Sequence, residues 1–287
     1  MISTRILRRR IKSVQSTAKI TRAMEMIATA KMRRSQEQAV NGRPYSEKIT
    51  QLITDLAAIQ GPGHVLHPLI QEREVKKIAI IHITSDRGMC GGLNANMNHL
   101  TGSFILSQKV PVSLIAVGKK GRDFLMRSRR DVIAEFTKIG ERPKLFDIMP
   151  ISKIVTDDYA EAKVDMVYLA YTKFVTTMTQ QPVMDQLLPM KLPEEQKKET
   201  KVCDYIFEPD PDFVLSELIP RYIDNRIYHA VVESIASEQS ARMVAMRNAT
   251  ENAQEVMQYL TLALNKARQE AITNELLDLI GGLAVLQ

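Results

Sequence analysis

The sequence predicts an α/β protein in which long N- and C-terminal helices pair as an antiparallel coiled coil, with an α/β domain inserted between them. Three observations lead there. Both ends of the 287-residue chain carry apolar residues at three- and four-residue steps with few helix breakers. The middle alternates short β-branched apolar runs with helical stretches. The composition, 45% hydrophobic but only 5% aromatic, with 15 Met and no Trp, suits long helices better than a sheet-dominated body.

Residues 2–57 contain one Gly, Gly42, and one Pro, Pro44. Ile11, Val14 and Ala18 mark a narrow coiled-coil seam, and Tyr45, Ile49, Leu52 and Leu56 resume it. Ile20, Met24 and Ile27 sit out of register with Ala18, which predicts a seam that drifts along the helix. At the other end Ala253, Met257, Leu260, Leu264, Ala267 and Ala271 alternate steps of four and three. Ile272, Leu276, Leu279 and Leu283 continue that stripe one residue advanced. The segment EPDPD (208–212) starts this helix, with Asp210 as cap and Pro211 in the first turn. Pro220 predicts a kink or a restart, because it removes one backbone hydrogen bond. A 70-residue helix would run about 105 Å, so the terminal helices exceed what one compact domain requires.

Between them, KKIAIIHIT (76–84), VPVSLIAVG (110–118), DVIAEFTKI (131–139) and VDMVYLAYTKF (164–174) read as strands. Helices are expected near 92–107, 118–129 and 150–162, so the insert is a Rossmann-like α/β domain with a largely parallel sheet. The boundaries expected are 1–58 for the N-terminal helix, 75–205 for the insert and 210–287 for the C-terminal helix. Gly61, Pro62 and Gly63 mark one joint and the polar stretch 191–201 the other.

Charge is unevenly placed. Residues 1–48 carry +9, the remainder −3, so the net +6 comes from the first sixth of the chain. Such a segment either meets something acidic, namely nucleic acid, anionic lipid or an acidic protein surface, or is simply a solvated helix face. No apolar run approaches the roughly 18 residues of a membrane span. The start MISTRILRRRIK lacks the apolar stretch of a secretory signal, and its helical pattern runs on without a processing boundary. Cys90 and Cys203 form no CxxC pair, which points to reduced thiols.

The best candidate for chemistry is SDRGMCGGLN (85–94), a Gly-rich turn between a strand and a helix. Its GxxGG spacing is neither GxGxxG nor a Walker loop, and a tight structural turn is the expected reading. Nothing specifies a His partner for Cys90. The five histidines show no metal spacing, and the pairs Asp157–Asp158 and Glu194–Glu195 fall in polar, surface-like stretches. What remains is ITRAMEMIATAKMRR (20–34), where Met24, Met26 and Met32 form a soft surface ringed by positive charge.

Five stretches together resemble the gamma subunit of F-type ATP synthases over essentially the whole chain. They are IKSVQSTAKITRAMEMIATAKMRRSQ (11–36), SDRGMCGGLN, FEPDP (207–211), ESIASEQSARMVAMRNATENA (233–253) and LNKARQEAITNELLDLIGGLA (264–284). Gly282 departs from the family's Ala and is expected to fray the helix early. The resemblance implies a central-stalk rotor that turns inside a ring of alpha and beta subunits and couples transmembrane proton flow to ATP synthesis or hydrolysis. Its α/β domain would rest on the epsilon subunit and the membrane c-ring, at the cytoplasmic face of a bacterial plasma membrane. By the same resemblance, Arg22, Met24 and Lys31 meet an acidic loop on beta. Arg268 and Gln269 make upper contacts with beta, and Glu238 and Arg242 contribute to coupling. None is catalytic, and no cofactor, metal or nucleic acid is implied. Without the resemblance the alternatives are a coiled-coil adaptor, a nucleic-acid-binding protein using the basic helix, or a Rossmann-type enzyme.

Overall fold

A computed structural model describes residues 4–59, 67–190 and 208–285. The chain comprises an N-terminal helix α1 (Thr4–Ile59), a central sheet domain and a C-terminal helix α5 (Pro211–Val285). The central elements are β1 (Ile78–Ile83), α2 (Leu93–Ser107), β2 (Val112–Val117), α3 (Lys119–Arg127), β3 (Val132–Phe136), α4 (Leu145–Ala160), β4 (Met166–Phe174) and β5 (Gln180–Leu188). The Gly61–Gly63 joint, the 191–201 stretch, Cys203 and the side chain of Leu283 lie outside the described residues. The structure divides into two compact units, Met1–Ala28 with Arg242–Gln287, and Thr29–Ala241.

In the larger unit the strands form one sheet in the order β3-β2-β1-β4-β5. The first four strands are parallel, and β5 runs antiparallel to β4. All six residues of β1 are buried, as a central parallel strand requires. Side chains alternate between two cores. Ile78 and Ile80 pack with Met97, Ile105 and Leu125 from α2 and α3. Ala79, Ile81 and Ile83 pack with Ile148, Ile151 and Val155 of α4, with Ile49, Ile53 and Leu56 of α1, and with Ile219, Ile223 and Ile227 of α5. This is the three-layer, Rossmann-like arrangement expected.

Three local readings change. The strand β5 was not evident in QQPVMDQLL, which carries Pro182, Asp185 and three Gln in place of β-branched residues. An edge strand tolerates such a composition because one of its backbone rows needs no partner. The helix α4 begins one turn before Pro150, where the Asp147 carboxylate accepts the Lys144 N–H at 2.7 Å. The helix α5 continues through Pro220 and through Gly281 and Gly282, so neither the restart nor the early fraying occurs. Its start is as read, since Asp210 Oδ1 accepts the Phe213 N–H at 2.8 Å.

In the smaller unit the seam does not drift. Leu7, Ala18, Thr21 and Ala28 are buried, with Ile11, Val14 and Glu25 half-buried between them. These positions keep the four-three step without interruption. Ile20 and Ile27 point outward, at 61% and 53% exposure. The apparent drift arose because a polar Thr and a small Ala occupy seam positions while larger apolar residues flank them. Thr21 Oγ1 lies 2.7 Å from Thr250 Oγ1, both buried. In an antiparallel pair fixed by that bond, Leu7 comes level with Leu264 and Thr4 with Ala267. The burial agrees. Ala253, Met257, Leu260, Leu264 and Ala267 are half-buried, whereas Arg268 to Leu277 are exposed.

Candidate functional site

Ligand crevices in parallel α/β sheets lie at the carboxyl ends of the strands, where SDRGMCGGLN joins β1 to α2. At the start of the neighbouring helix α3 the chain's own oxygens occupy the donors. Asp86 Oδ1 accepts the Lys119 N–H and its Oδ2 the Lys138 N–H, both at 2.9 Å, which ties three loops together. The next two amides of α3 are also held: Lys120 N–H by the Ser85 carbonyl at 3.1 Å and Gly121 N–H by Thr84 Oγ1 at 2.8 Å. A phosphate at this helix start would need those same groups. Asn94 Oδ1 accepts the Ser85 N–H at 3.1 Å, and Asn94 Nδ2 donates to the buried Cys90 Sγ at 3.2 Å. The cavity left above the strands measures about 50 Å³ and is bounded by Asp86, Met97, Phe136, Val231 and Glu238. Sites for small organic ligands enclose several hundred Å³. The Gly-rich turn is a staple for three loops.

Beneath it His82 is fully buried, and burial pushes its imidazole down from 6.5 to about 4. Asn98 Oδ1, 2.9 Å away, can only accept, so Nε2 carries the proton, and Nδ1 accepts from Thr101 Oγ1 at 3.0 Å. The neutral ring is therefore satisfied. The unfolded chain binds a proton below pH 6.5 that the folded chain refuses until about pH 4. The stability due to neutral His82 is complete above pH 6.5 and drains as pH falls to 4, by about 3 kcal/mol. Denaturant midpoints of the wild type and His82→Gln, taken between pH 7.5 and 4, should converge as the wild type loses this advantage. Parallel curves would exclude His82 as their source.

The residues singled out from sequence lie along the two long helices. In the smaller unit Arg22 is exposed and Met24 half-buried, while Arg268 and Gln269 are exposed beyond the last seam residue. Arg242 is buried to 8% exposure, so its guanidinium is not an open surface group. In the larger unit Lys31 pairs with Glu141 of the β3–α4 loop, both side chains partly exposed, and Glu238 is half-buried beside the small cavity. Sequence reading missed the polar grip of the sheet on α5. Ser234 Oγ accepts the Thr172 N–H at 3.2 Å, and Ser237 Oγ donates to the Thr172 carbonyl at 3.0 Å. The signal was available as three serines at three-residue steps, 234, 237 and 240, in an otherwise apolar helix face.

A family model described as ATP synthase matches residues 3–286. The ATP synthase gamma chain of Dehalococcoides mccartyi (strain ATCC BAA-2266 / KCTC 15142 / 195) is 56% identical, with 100% of each chain covered. That of Desulforamulus reducens is 45% identical, again with 100% of each covered. Among solved structures, the Tetrahymena thermophila mitochondrial ATP synthase central stalk and c-ring gives a TM-score of 0.63 at 25% identity, covering 80% of this chain and 99% of that one. The rotor of the Euglena gracilis mitochondrial ATP synthase gives 0.65 at 20% identity, covering 94% and 98%, a likeness of fold. The chain belongs to the ATP synthase gamma-chain family.

Proposed function

We infer that the chain is the central-stalk rotor of an F-type ATP synthase, turning inside a ring of alpha and beta subunits and carried by epsilon and the membrane c-ring. One observation carries this reading. The helix α5 continues past Ala267, where its antiparallel partner begins, as a single helix with Ile272, Leu276, Leu277, Leu279 and Ile280 all at least half exposed. An apolar surface on several sides of a helix that is unpaired among the described residues calls for an encircling apolar partner. The subunit is non-catalytic, a reading supported by the first three amides of α3 being bonded within the chain and by a GxxGG turn that matches neither phosphate-binding spacing. It sits peripherally at the cytoplasmic face of the bacterial plasma membrane. Among the described residues no helix is long and apolar enough to cross a membrane. Co-assembly with alpha and beta subunits tests the reading. The complex should hydrolyse ATP and, on the membrane sector, pump protons, while the purified chain alone should not hydrolyse ATP. Specific hydrolysis by the chain alone would overturn it.

Within this reading Arg22, Met24 and Lys31 meet an acidic loop on beta, Arg268 and Gln269 meet beta higher up, and Glu238 and Arg242 serve coupling. A collar that slides past its partner needs individually weak contacts, about 0–1 kcal/mol for an exposed pair. Met24→Lys adds a long cation where a soft apolar side chain was, so it should lower protons pumped per ATP more than Met24→Ala does. Assembly should survive both, since the seam runs through Thr21 and Ala28. An Ala variant that couples worse than the Lys variant would assign Met24 to packing.

A further inference from the structure

Across the sheet unit α5 presents an apolar face of Leu215, Ile219, Ile223, Ile227, Ala230 and Val231, all buried. Further along, polar residues join that face. Ser234, Ser237 and Ser240 are 8%, 0% and 0% exposed. The reason lies in the strands. β1 pairs with β4 only as far as His82 and Ala170, and β4 runs on to Phe174. Thr172, in that overhang, is 4% exposed, so its backbone groups need partners that β1 does not supply. Ser234 receives the Thr172 N–H, and Ser237 donates to its carbonyl. Farther along the helix, Ser240 Oγ donates to the Thr177 carbonyl at 2.7 Å and accepts from Gln180 Nε2 at 3.4 Å. One row of a helix thus does the work of the missing strand.

The hydrophobic effect is itself non-directional, so apolar packing sets the register of a helix less sharply than directional bonds do. Hydrogen bonds are directional and fail within a few tenths of an ångström beyond 3.2 Å. A roll of about 20° moves a group roughly 4 Å from the helix axis by roughly 1.4 Å, enough to break all of these bonds together. The row ends at Ser240, two residues before the chain passes at Arg242 from the sheet unit into the helical unit.

We propose that Ser234, Ser237 and Ser240 are positioning residues that lock the rotational register of α5 to the sheet, so that torque passes between the C-terminal helix and the globular body without slip. This rests on the rotor reading above. Removing the hydroxyls leaves the apolar face of α5 and the seam intact, but leaves the Thr172 backbone without partners on α5 and the register of the helix to apolar packing alone.

The test uses the membrane-reconstituted complex carrying the wild-type chain, Ser237→Ala, or the triple Ser234→Ala, Ser237→Ala, Ser240→Ala variant. Leu125→Ala serves as control, buried on the opposite face of the sheet. Hydrolysis should stay within about twofold while protons pumped per ATP fall about threefold or more in the triple variant. The Thr172 amide should exchange about tenfold faster in it. Leu125→Ala should melt earlier yet keep its pumping ratio. An unchanged ratio alongside faster Thr172 exchange would overturn the lock, as would an equal loss in Leu125→Ala. If the triple variant does not assemble, Ser237→Ala decides by the same readouts. A wild-type complex that hydrolyses but never pumps would instead defeat the rotor reading itself.

Discussion

Gly118→Ala is expected to be the most damaging small substitution in the sheet unit, costing about 4 kcal/mol or more. Two independent causes act at this position. Its φ of +95° lies where side chains are strained. An added Cβ would also stand 2.1 Å from the Thr84 carbonyl oxygen, which is backbone and cannot swing away. Thr84 also holds the Gly121 amide, and Gly118 itself donates to the Phe136 carbonyl at 2.8 Å, so the clash falls on the knot that joins β1, β2 and β3. Gly140 separates the causes, with φ +89° and nothing within 4 Å of an added Cβ. Gly140→Ala should cost only the backbone strain, about 1–3 kcal/mol. Thermal and denaturant unfolding of the full chain should rank the variants in that order. Equal midpoints would mean that the β1–β2 knot relaxes freely, contrary to the bonds described.

How much of this was legible beforehand depended on which force places each element. Strands β1, β2 and β4 were readable because burial in the middle of the sheet demands apolar, β-branched runs such as IAIIHI, and β3, at one edge, because it keeps the β-branched pair Val132 and Ile133. The strand β5 was not, because an edge position asks little of composition, and its register comes from pairing with β4 through residues such as Val183 and Met184. The C-terminal seam was legible from Leu260 and Leu264, where large apolar residues hold the stripe. The N-terminal seam was misread around Thr21, since a hydroxyl bonded to Thr250 fills the place and the neighbouring Ile20 draws the eye outward. The candidate residues were legible only as positions on helices. That Lys31 is paired with Glu141 and that Arg242 is buried depends on chain folded against them from far away in sequence. The serine row 234, 237 and 240 was visible in the sequence but its purpose was not, because the need for it arises from the end of β1, more than 150 residues earlier.

Leu264→Asp is expected to open the far end of the helix pair at a cost of about 2–4 kcal/mol, by losing packing and half-burying a carboxylate. The register set by Thr21 and Thr250 puts Leu7, 3% exposed, opposite this residue, close to the start of α1. Beyond it, among the described residues, only Thr4 and Ala267 continue the seam. Leu260→Asp, level with Ile11, should do the same from one turn further in. The control is Leu262→Asp, two residues from either site but 69% exposed, which should change stability by no more than about 0.5 kcal/mol. In the assembled enzyme the two seam variants should lose proton-driven ATP synthesis or fail to assemble, while the exposed variant keeps assembly. A second-site change sharpens the assignment. Leu7→Lys placed with Leu264→Asp puts opposite charges across the seam and should recover part of the loss, because adjacent positions couple where distant ones only add. Recovery with Leu7→Lys but none with a Lys at exposed Ile6 would fix the antiparallel register residue by residue. Full-rate synthesis in both Asp variants would remove the seam from the mechanism.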